Sequence, residues 1–240
     1  VSSTYTYLLG CEETGQAMLI DAVLPAWQRD LEELNKLGMK LAYTLDTHIH
    51  ADHITAARKL KLEAGSRIAH PAVDHLACVD MQLEEGKPLD LGSIRLEPLF
   101  TPGHTDGHHA YRVGGRVFTG DALLIDACGR TDFQNGDAPT LYRSVHDKLF
   151  SLPEDTLVYP AHDYQGRRVS SIGQEKTRNP RLGGDKPLAE FVKIMQEMKL
   201  AYPKFIDYAV PGNRECGVCP PGVPDDLQQY CAQMEESVQG

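Results

Sequence analysis

Residues 44–53 read TLDTHIHADH, in which His48, His50, Asp52 and His53 fall in the spacing H-x-H-x-D-H. Imidazole and carboxylate groups ligate Zn, Fe, Mn or Ni, so this cluster can hold one ion or serve two. Taken singly, each residue has a plainer use. Asp52 suits the N-cap of the segment after it, and His50 suits a packed side chain. The cluster does not stand alone, however. His104 lies in TPGHTDGH, Asp121 in FTGDALL and His162 in YPAHDY. Each follows an apolar run, where a sheet presents ligands to a shared cleft, so the combined series predicts a metal site. No cysteine enters these motifs, which argues against a soft-metal site, and the ligand types leave Fe(II), Zn and Mn open. His70, His75, His146, His108 and His109 have no partner motif and are read as structural.

The elements that must position these residues follow from periodicity. STYTYLLG alternates as a half-buried strand does, and AMLID is its expected partner across a turn. Pro25 opens a helix with Leu31, Leu34 and Leu37 on one face, and Gly38 ends it. LAYTL reads as a strand, ITAARKLKLEAG as a helix closed by Gly65, and RIAH as a short strand. The first metal motif thus falls at the carboxyl end of a strand, where open α/β sheets place their sites. Further along, SIRLEPLFT, HHAYRVG and RVFTGDALL read as strands, the last two joined at Gly114-Gly115 as a hairpin. TLYRSVHDKLFSL is a helix with Leu141, Val145 and Leu149 aligned, TLVYPAH is a strand, and PLAEFVKIMQEMKLA is a helix. Two β-rich halves with helices outside predict an α/β fold, a four-layer αββα sandwich. We expect one domain over residues 1–240, with a Pro-, Gly- and Cys-rich tail from about Pro211 lying along the surface.

The 240 residues carry a formal net charge of -10, which argues against general attraction to nucleic acid or an anionic membrane. No apolar run reaches the ~18 residues of a membrane span. The start, VSSTYTYLLG, lacks the pattern of a secretory signal. Six scattered cysteines suggest a reducing compartment, and the lone C-x-x-C of Cys216 and Cys219 is read as reduced thiols. A bacterial cytoplasm is expected, with a mitochondrial matrix as the alternative if a transit peptide has been removed.

The motif series resembles the metallo-β-lactamase superfamily, whose fold is the αββα sandwich. More narrowly, STYTYLLG, THIHADH, GDALLIDACGRTDFQNGDAPTLYRSVHDKLFSLP and YPAHDYQGRRVSSIGQEKTRNPRL resemble the persulfide dioxygenases of the ethylmalonic-encephalopathy protein type, over about residues 2–219. That resemblance implies one Fe(II) per chain, held by His48, His104 and Asp121, with glutathione persulfide and O2 as substrates and sulfite and glutathione as products. His50, Asp52, His53 and His162 would then orient ligands, hold water or pass protons. The superfamily's hydrolases imply another use of the same residues: His48, His50 and His104 for a first metal, Asp52, His53 and His162 for a second, and Asp121 bridging. A dinuclear glyoxalase-II-like thioester hydrolase is therefore the alternative, and a non-catalytic metal or sulfur sensor a further one. The CGRTDFQNG stretch, where glyoxalase II proteins carry an aromatic after CGR, favours the dioxygenase.

In that stretch Arg130 and Asp132 are expected to pair and hold the loop, with Thr131 completing its hydrogen bonds, the alternative being that Arg130 faces the substrate; Cys128 is expected to be a small buried residue. Glutathione carries two carboxylates, so Arg167, Arg168, Lys176, Arg178, Arg181 and Arg214 are candidate contacts. Tyr164 and Arg214 are the substrate-binding residues chosen. The resemblance implies a homodimer, and any sulfurtransferase partner is expected to be a separate chain.

Overall fold

The computed structural model describes residues 3–239, with side chains described up to residue 232. They form two compact units. One runs to Leu83 and adds Asp90–Ile94 and the chain from Tyr202; the other comprises Glu84–Leu89 and Arg95–Ala201.

The first unit is built on a five-stranded sheet in the order β1-β2-β3-β4-β5. Strand β1 (Tyr7–Cys11) pairs antiparallel with β2 (Gln16–Ile20), and β3 (Lys40–Leu45), β4 (Arg67–Pro71) and β5 (Met81–Leu83) continue in parallel. Helix α1 (Trp27–Lys36), entered through a 3-10 turn at Leu24–Ala26, and helix α2 (Ala57–Ala64) supply the crossovers. Their apolar stripes pack Leu34 and Leu60 onto Ala17, Leu19 and Leu41 of the sheet. Leu37 departs from expectation: it is exposed, because α1 ends one residue before it and Gly38 turns the chain away in the left-handed region. Gly65 caps α2 with a φ of 69°, as its position in the sequence predicts.

The C-terminal stretch is more ordered than a surface tail. Helix α6 (Ile206–Arg214) contains Pro211, and α7 (Asp225–Gln239) places Leu227 and Cys231 against Leu24 and Ile54. Pro211 stands inside α6, where it cannot donate the backbone hydrogen bond that its position would otherwise make. Four of the six cysteines, Cys216 and Cys219 of the C-x-x-C among them, are likewise not reduced thiols. Cys78 bonds to Cys216, 138 residues away, and Cys219 bonds to Cys231. Sequence spacing misses these pairs because the partner of each C-x-x-C cysteine lies on another element, not within the motif.

The second sheet is ordered β11-β10-β9-β8-β7-β6. Strands β7 (Ile94–Phe100), β8 (His109–Val113) and β9 (Arg116–Gly120) form an antiparallel meander, turning at Gly114 with a φ of 55°. The short β6 (Leu89–Leu91) lies at one edge and β11 (Ser170–Ser171) at the other. Strand β10 (Leu157–Pro160) runs parallel to β9. That pairing matters for chemistry, since Asp121 and His162 follow the carboxyl ends of two neighbouring parallel strands and emerge side by side. Helix α3 (Ala138–Arg143) continues as a π turn through Leu149, and buries Leu141, Val145 and Leu149 against Val117 and Val158. Helix α5 (Leu188–Glu197) adds Phe191 and Met195 to the same core. Helix α4 (Ile172–Arg178), between them in sequence, is N-capped by Ser171.

Candidate metal centre

In the first unit, the loop after β3 carries His48, His50, Asp52 and His53. Asp21, at the end of the neighbouring strand β2, is the residue that sequence reasoning missed. Its carboxylate accepts from the Thr47 amide at 2.7 Å, from the Thr47 hydroxyl at 3.1 Å and from His50 Nε2 at 3.0 Å. Because the Thr47 hydroxyl gives its proton to Asp21, it accepts from His48 Nδ1 at 2.9 Å. The proton therefore sits on Nδ1 of His48, and Nε2 carries the lone pair, as a metal-ligating histidine requires. The only signal for Asp21 in the sequence was its place after AMLI, at a strand's carboxyl end.

His50 is fully buried among Asp21, Asp46 and Asp52. Burial opposes its charge, but the charge and hydrogen bond of Asp21, then the charges of Asp46 and Asp52, raise it to about 9. Burial in turn holds the Asp46 carboxyl above its ordinary range. Asp52 does not cap a helix. The N-cap of α2 is Ala56, and Asp52 instead accepts from Thr4 Oγ1 at 2.9 Å and pairs with His53 Nδ1 at 3.2 Å. Nδ1 of His50 and Nε2 of His53 are buried and have no hydrogen-bond partner among the described residues. Two such nitrogens beside a carboxylate are donors suited to a cation, so these residues fit a metal.

In the second unit, His104 Nδ1 donates to the Arg130 carbonyl at 2.7 Å, again leaving the lone pair on Nε2, which stands 3.5 Å from Asp121 Oδ2. The other oxygen of Asp121 pairs with His162 Nδ1 at 2.7 Å. The Asp121 amide donates to Nε2 of His108 at 3.1 Å, and His108 Nδ1 lies 2.9 Å from Thr101 Oγ1. His108, read as structural, thus braces the carboxylate residue directly. His109 bonds the Gly107 carbonyl and begins β8. His70 pairs with Asp74, and His146 stacks on Tyr142.

Around His104 and Asp121 the CGRTDFQ stretch forms a rigid bracket. Arg130 grips Asp132 through two hydrogen bonds of 2.6 and 2.7 Å, and a third guanidinium N–H reaches the Ala201 carbonyl. The Arg130 guanidinium holds the Asp132 carboxyl below the usual carboxylate range. Gly136 lies against the Thr131 backbone, with no room between them for a Cβ. Burial pushes the Cys128 thiol up to about 11, so it is a packed group and not a nucleophile.

Most of the candidate glutathione contacts are already engaged. Arg167 binds Asp163, Asp126 and the Ile125 carbonyl, Arg178 pairs with Asp126, and Arg181 donates to the Cys128 carbonyl. Tyr164 is 81% exposed, with its ring parallel to that of His162 at 6.2 Å. Arg214 is exposed at the end of α6.

The family model described as the metallo-β-lactamase superfamily matches residues 1–162. The persulfide dioxygenase ETHE1, mitochondrial, of Homo sapiens is 47% identical over 224 residues, covering 92% of this chain and 87% of that protein. The crystal structure of ETHE1 from Myxococcus xanthus is 50% identical with a TM-score of 0.88, covering 90% of this chain and 95% of that one. A more distant structure, TTHA1623 in a di-iron-bound form, is 28% identical with a TM-score of 0.59, covering 73% of this chain and 93% of that one. The fold is therefore the αββα sandwich, and the chain belongs to the metallo-β-lactamase superfamily and, within it, to the persulfide dioxygenases.

Proposed function

We propose that this chain oxidises glutathione persulfide with O2, using one iron(II) held by His48, His104 and Asp121. The observation that carries this reading is the 47% identity with a persulfide dioxygenase across 92% of the chain. Each of the three residues offers one ligand atom, and two imidazoles with one carboxylate are a donor set for iron(II) that leaves positions open. When bound, iron(II) supplies the redox chemistry between O2 and sulfur that redox-inert Zn cannot supply.

The reaction balances as persulfide, O2 and water giving glutathione and sulfite, with the terminal S–S bond broken and the outgoing glutathione sulfur protonated. The protein's own residues orient and hold. Asp21, through Thr47, fixes the His48 tautomer, and the Arg130 carbonyl fixes that of His104. His162, paired with Asp121, is the group placed to hold or return a proton near the carboxylate. Tyr164, exposed beside His162, offers its hydroxyl to the substrate, and Arg214 offers a cation to a glutathione carboxylate. Arg130, Thr131 and Asp132 support the loop and do not contact substrate. We further read the chain as a homodimer supplied by a separate sulfurtransferase, in a mitochondrial matrix or a bacterial cytoplasm.

The second reading, a dinuclear thioester hydrolase, is favoured by nitrogens of His50 and His53 that stand beside Asp52 without a hydrogen-bond partner among the described residues. Against it, a second ion at His50 must displace a proton that three nearby carboxylates hold up to about pH 9. The deciding experiment is O2 consumption with glutathione persulfide on anaerobically iron-loaded protein, with metal counted in the same sample. Near one iron per chain with O2 uptake and sulfite is the expected result. Two metals per chain, no O2 uptake and cleavage of a glutathione thioester would overturn it.

A further inference from the structure

The loop that carries His48, His50, Asp52 and His53 is held from a distant part of the first unit. Asn213, near the end of α6, is buried and turns its whole side-chain amide onto that loop. One N–H donates to the His50 carbonyl at 2.9 Å and the other to the His53 carbonyl at 2.8 Å. The amide oxygen accepts from the Thr55 N–H at 2.8 Å. Both donors and the acceptor are thereby used on one six-residue stretch, and a flipped amide would set N–H against N–H at Thr55. The segment after Asn213 is equally close. The Arg58 amide donates to the Cys216 carbonyl at 3.1 Å, and Gly217, with a φ of 97°, presses against the Thr55 carbonyl so tightly that a Cβ would come within 2.4 Å of it.

What keeps Asn213 there is covalent. Cys216, three residues on, is bonded to Cys78, which follows β4. Cys216 packs with Ala57 and Ile68, so the disulfide fastens the end of α6 to the start of α2 and to β4. The metal loop lies between β3 and α2, and the disulfide anchors the clamp on α2, the element that follows the loop, and on β4 beyond it.

We propose that Asn213 is a positioning residue for the metal loop and that the Cys78–Cys216 disulfide locks it in place, so that thiol-specific reduction loosens the loop and weakens metal binding. The proposal rests on the metal-centre reading for its affinity readout. The chemistry needs only a two-electron reductant. A phosphine does this by taking oxygen from water, the two protons of which end on Cys78 and Cys216. Two molecules of glutathione do the same and leave as glutathione disulfide. Glutathione is also the thiol released in the proposed reaction, so the lock is open to a product of the site it supports.

The test uses the full chain, with iron(II) as the probe. Two readouts are taken: iron(II) affinity by competition with a chromophoric chelator under anaerobic conditions, and amide exchange of residues 47–56 in metal-free protein. Asn213→Asp keeps the shape and the Thr55 bond but faces two carbonyls with an acceptor. It should lower iron affinity by about 10–100-fold, the range typical for residues that orient metal ligands, and raise loop exchange. The double variant Cys78→Ser/Cys216→Ser should show both effects without reductant. Wild-type protein should acquire them on phosphine treatment, and so should Cys219→Ser/Cys231→Ser, which retains only the relevant disulfide. Unchanged affinity and exchange in the Asn213→Asp and Cys78→Ser/Cys216→Ser proteins would overturn the proposal. So would reductant sensitivity that persists in Cys78→Ser/Cys216→Ser. Loop exchange is read without metal or turnover, so absence of O2 uptake would sink the dioxygenase reading and leave this test standing.

Discussion

His108 shows how much a single hydrogen bond decides at the residue scale. The Asp121 amide must donate to it, so His108 Nε2 is unprotonated and the ring is neutral, with its proton on Nδ1 toward Thr101. Replacing it by Phe keeps a ring but removes the acceptor from a partly buried amide. That should cost about 1–3 kcal/mol of stability and about tenfold in iron affinity. His108→Gln, which retains an acceptor, should recover part of both. Thermal unfolding and chelator competition measure the two effects, and equal losses in Phe and Gln variants would show that ring packing, not the hydrogen bond, is what counts. His50 gives a pH signature. Its folded pKa is raised to about 9 from an ordinary value near ~6.5, so the folded state binds the proton more tightly than the unfolded chain does. The resulting stability is fully present below about pH 6.5 and is lost as pH rises through about 9. The Tm of metal-free protein should therefore fall across that window, and His50→Gln should flatten the decline. A wild-type Tm that rises there would contradict the assignment.

At the scale of elements, the site depends on how closely backbone segments approach. A Cβ on Gly129 would lie 2.7 Å from His104 Nδ1 and 2.5 Å from the Asp121 carbonyl oxygen. Here glycine serves space and not conformation, since its φ is not positive. Gly129→Ala should push the His104 ring off the Arg130 carbonyl, lowering iron affinity by roughly the 10–100-fold of a lost orienting contact. It should also cost folding stability, because the nearest atom is the Asp121 backbone oxygen, which accepts from the Gly129 amide and cannot swing aside as a side chain could. A Gly129→Ala protein with wild-type iron affinity would mean that the bracket yields elsewhere. The parallel pairing of β9 and β10 explains why G-D and A-H motifs act together. Strands of the same direction end at the same edge, so Asp121 and His162 meet although 41 residues separate them.

For the whole molecule, the two disulfides should differ in weight. In the loop-entropy account a cross-link stabilises by restricting the unfolded chain, and more so for longer loops. Cys78–Cys216 spans 138 residues and Cys219–Cys231 spans 12. Removing the first should cost about 4–5 kcal/mol and the second about 3 kcal/mol or less. Urea unfolding of the two double-serine variants measures the difference. A larger loss for the short loop would place the effect in native packing around α7. The net charge of -10 acts at this scale too, and sets the surface against polyanions without touching the site.

The αββα layout, and a motif series able to bind metal, were readable from the sequence because they depend on local facts, whereas the choice of His48, His104 and Asp121 from that series came only from the family resemblance. Ligand types, apolar runs before them and glycines after helices are all properties of short windows. The helices α6 and α7 were not readable, since Pro211, Gly212 and three further prolines mask a pattern that only contact with Leu24 and Ile54 stabilises. The roles of Asp21, His108 and Asn213 were beyond reach for another reason. Each acts through a hydrogen bond to a residue distant in sequence, 158 positions away for Asn213 and Thr55. Asx and His are common in loops and cores, so their types carry no sign of a partner. The pairing of Cys78 with Cys216 is likewise a matter of which elements meet. The sequence by itself determined which atoms can bind a metal; the tertiary structure decided which tautomer each presents and what holds it still. A hydrogen bond needs two groups brought within about 3 Å, and only the folded chain sets that distance.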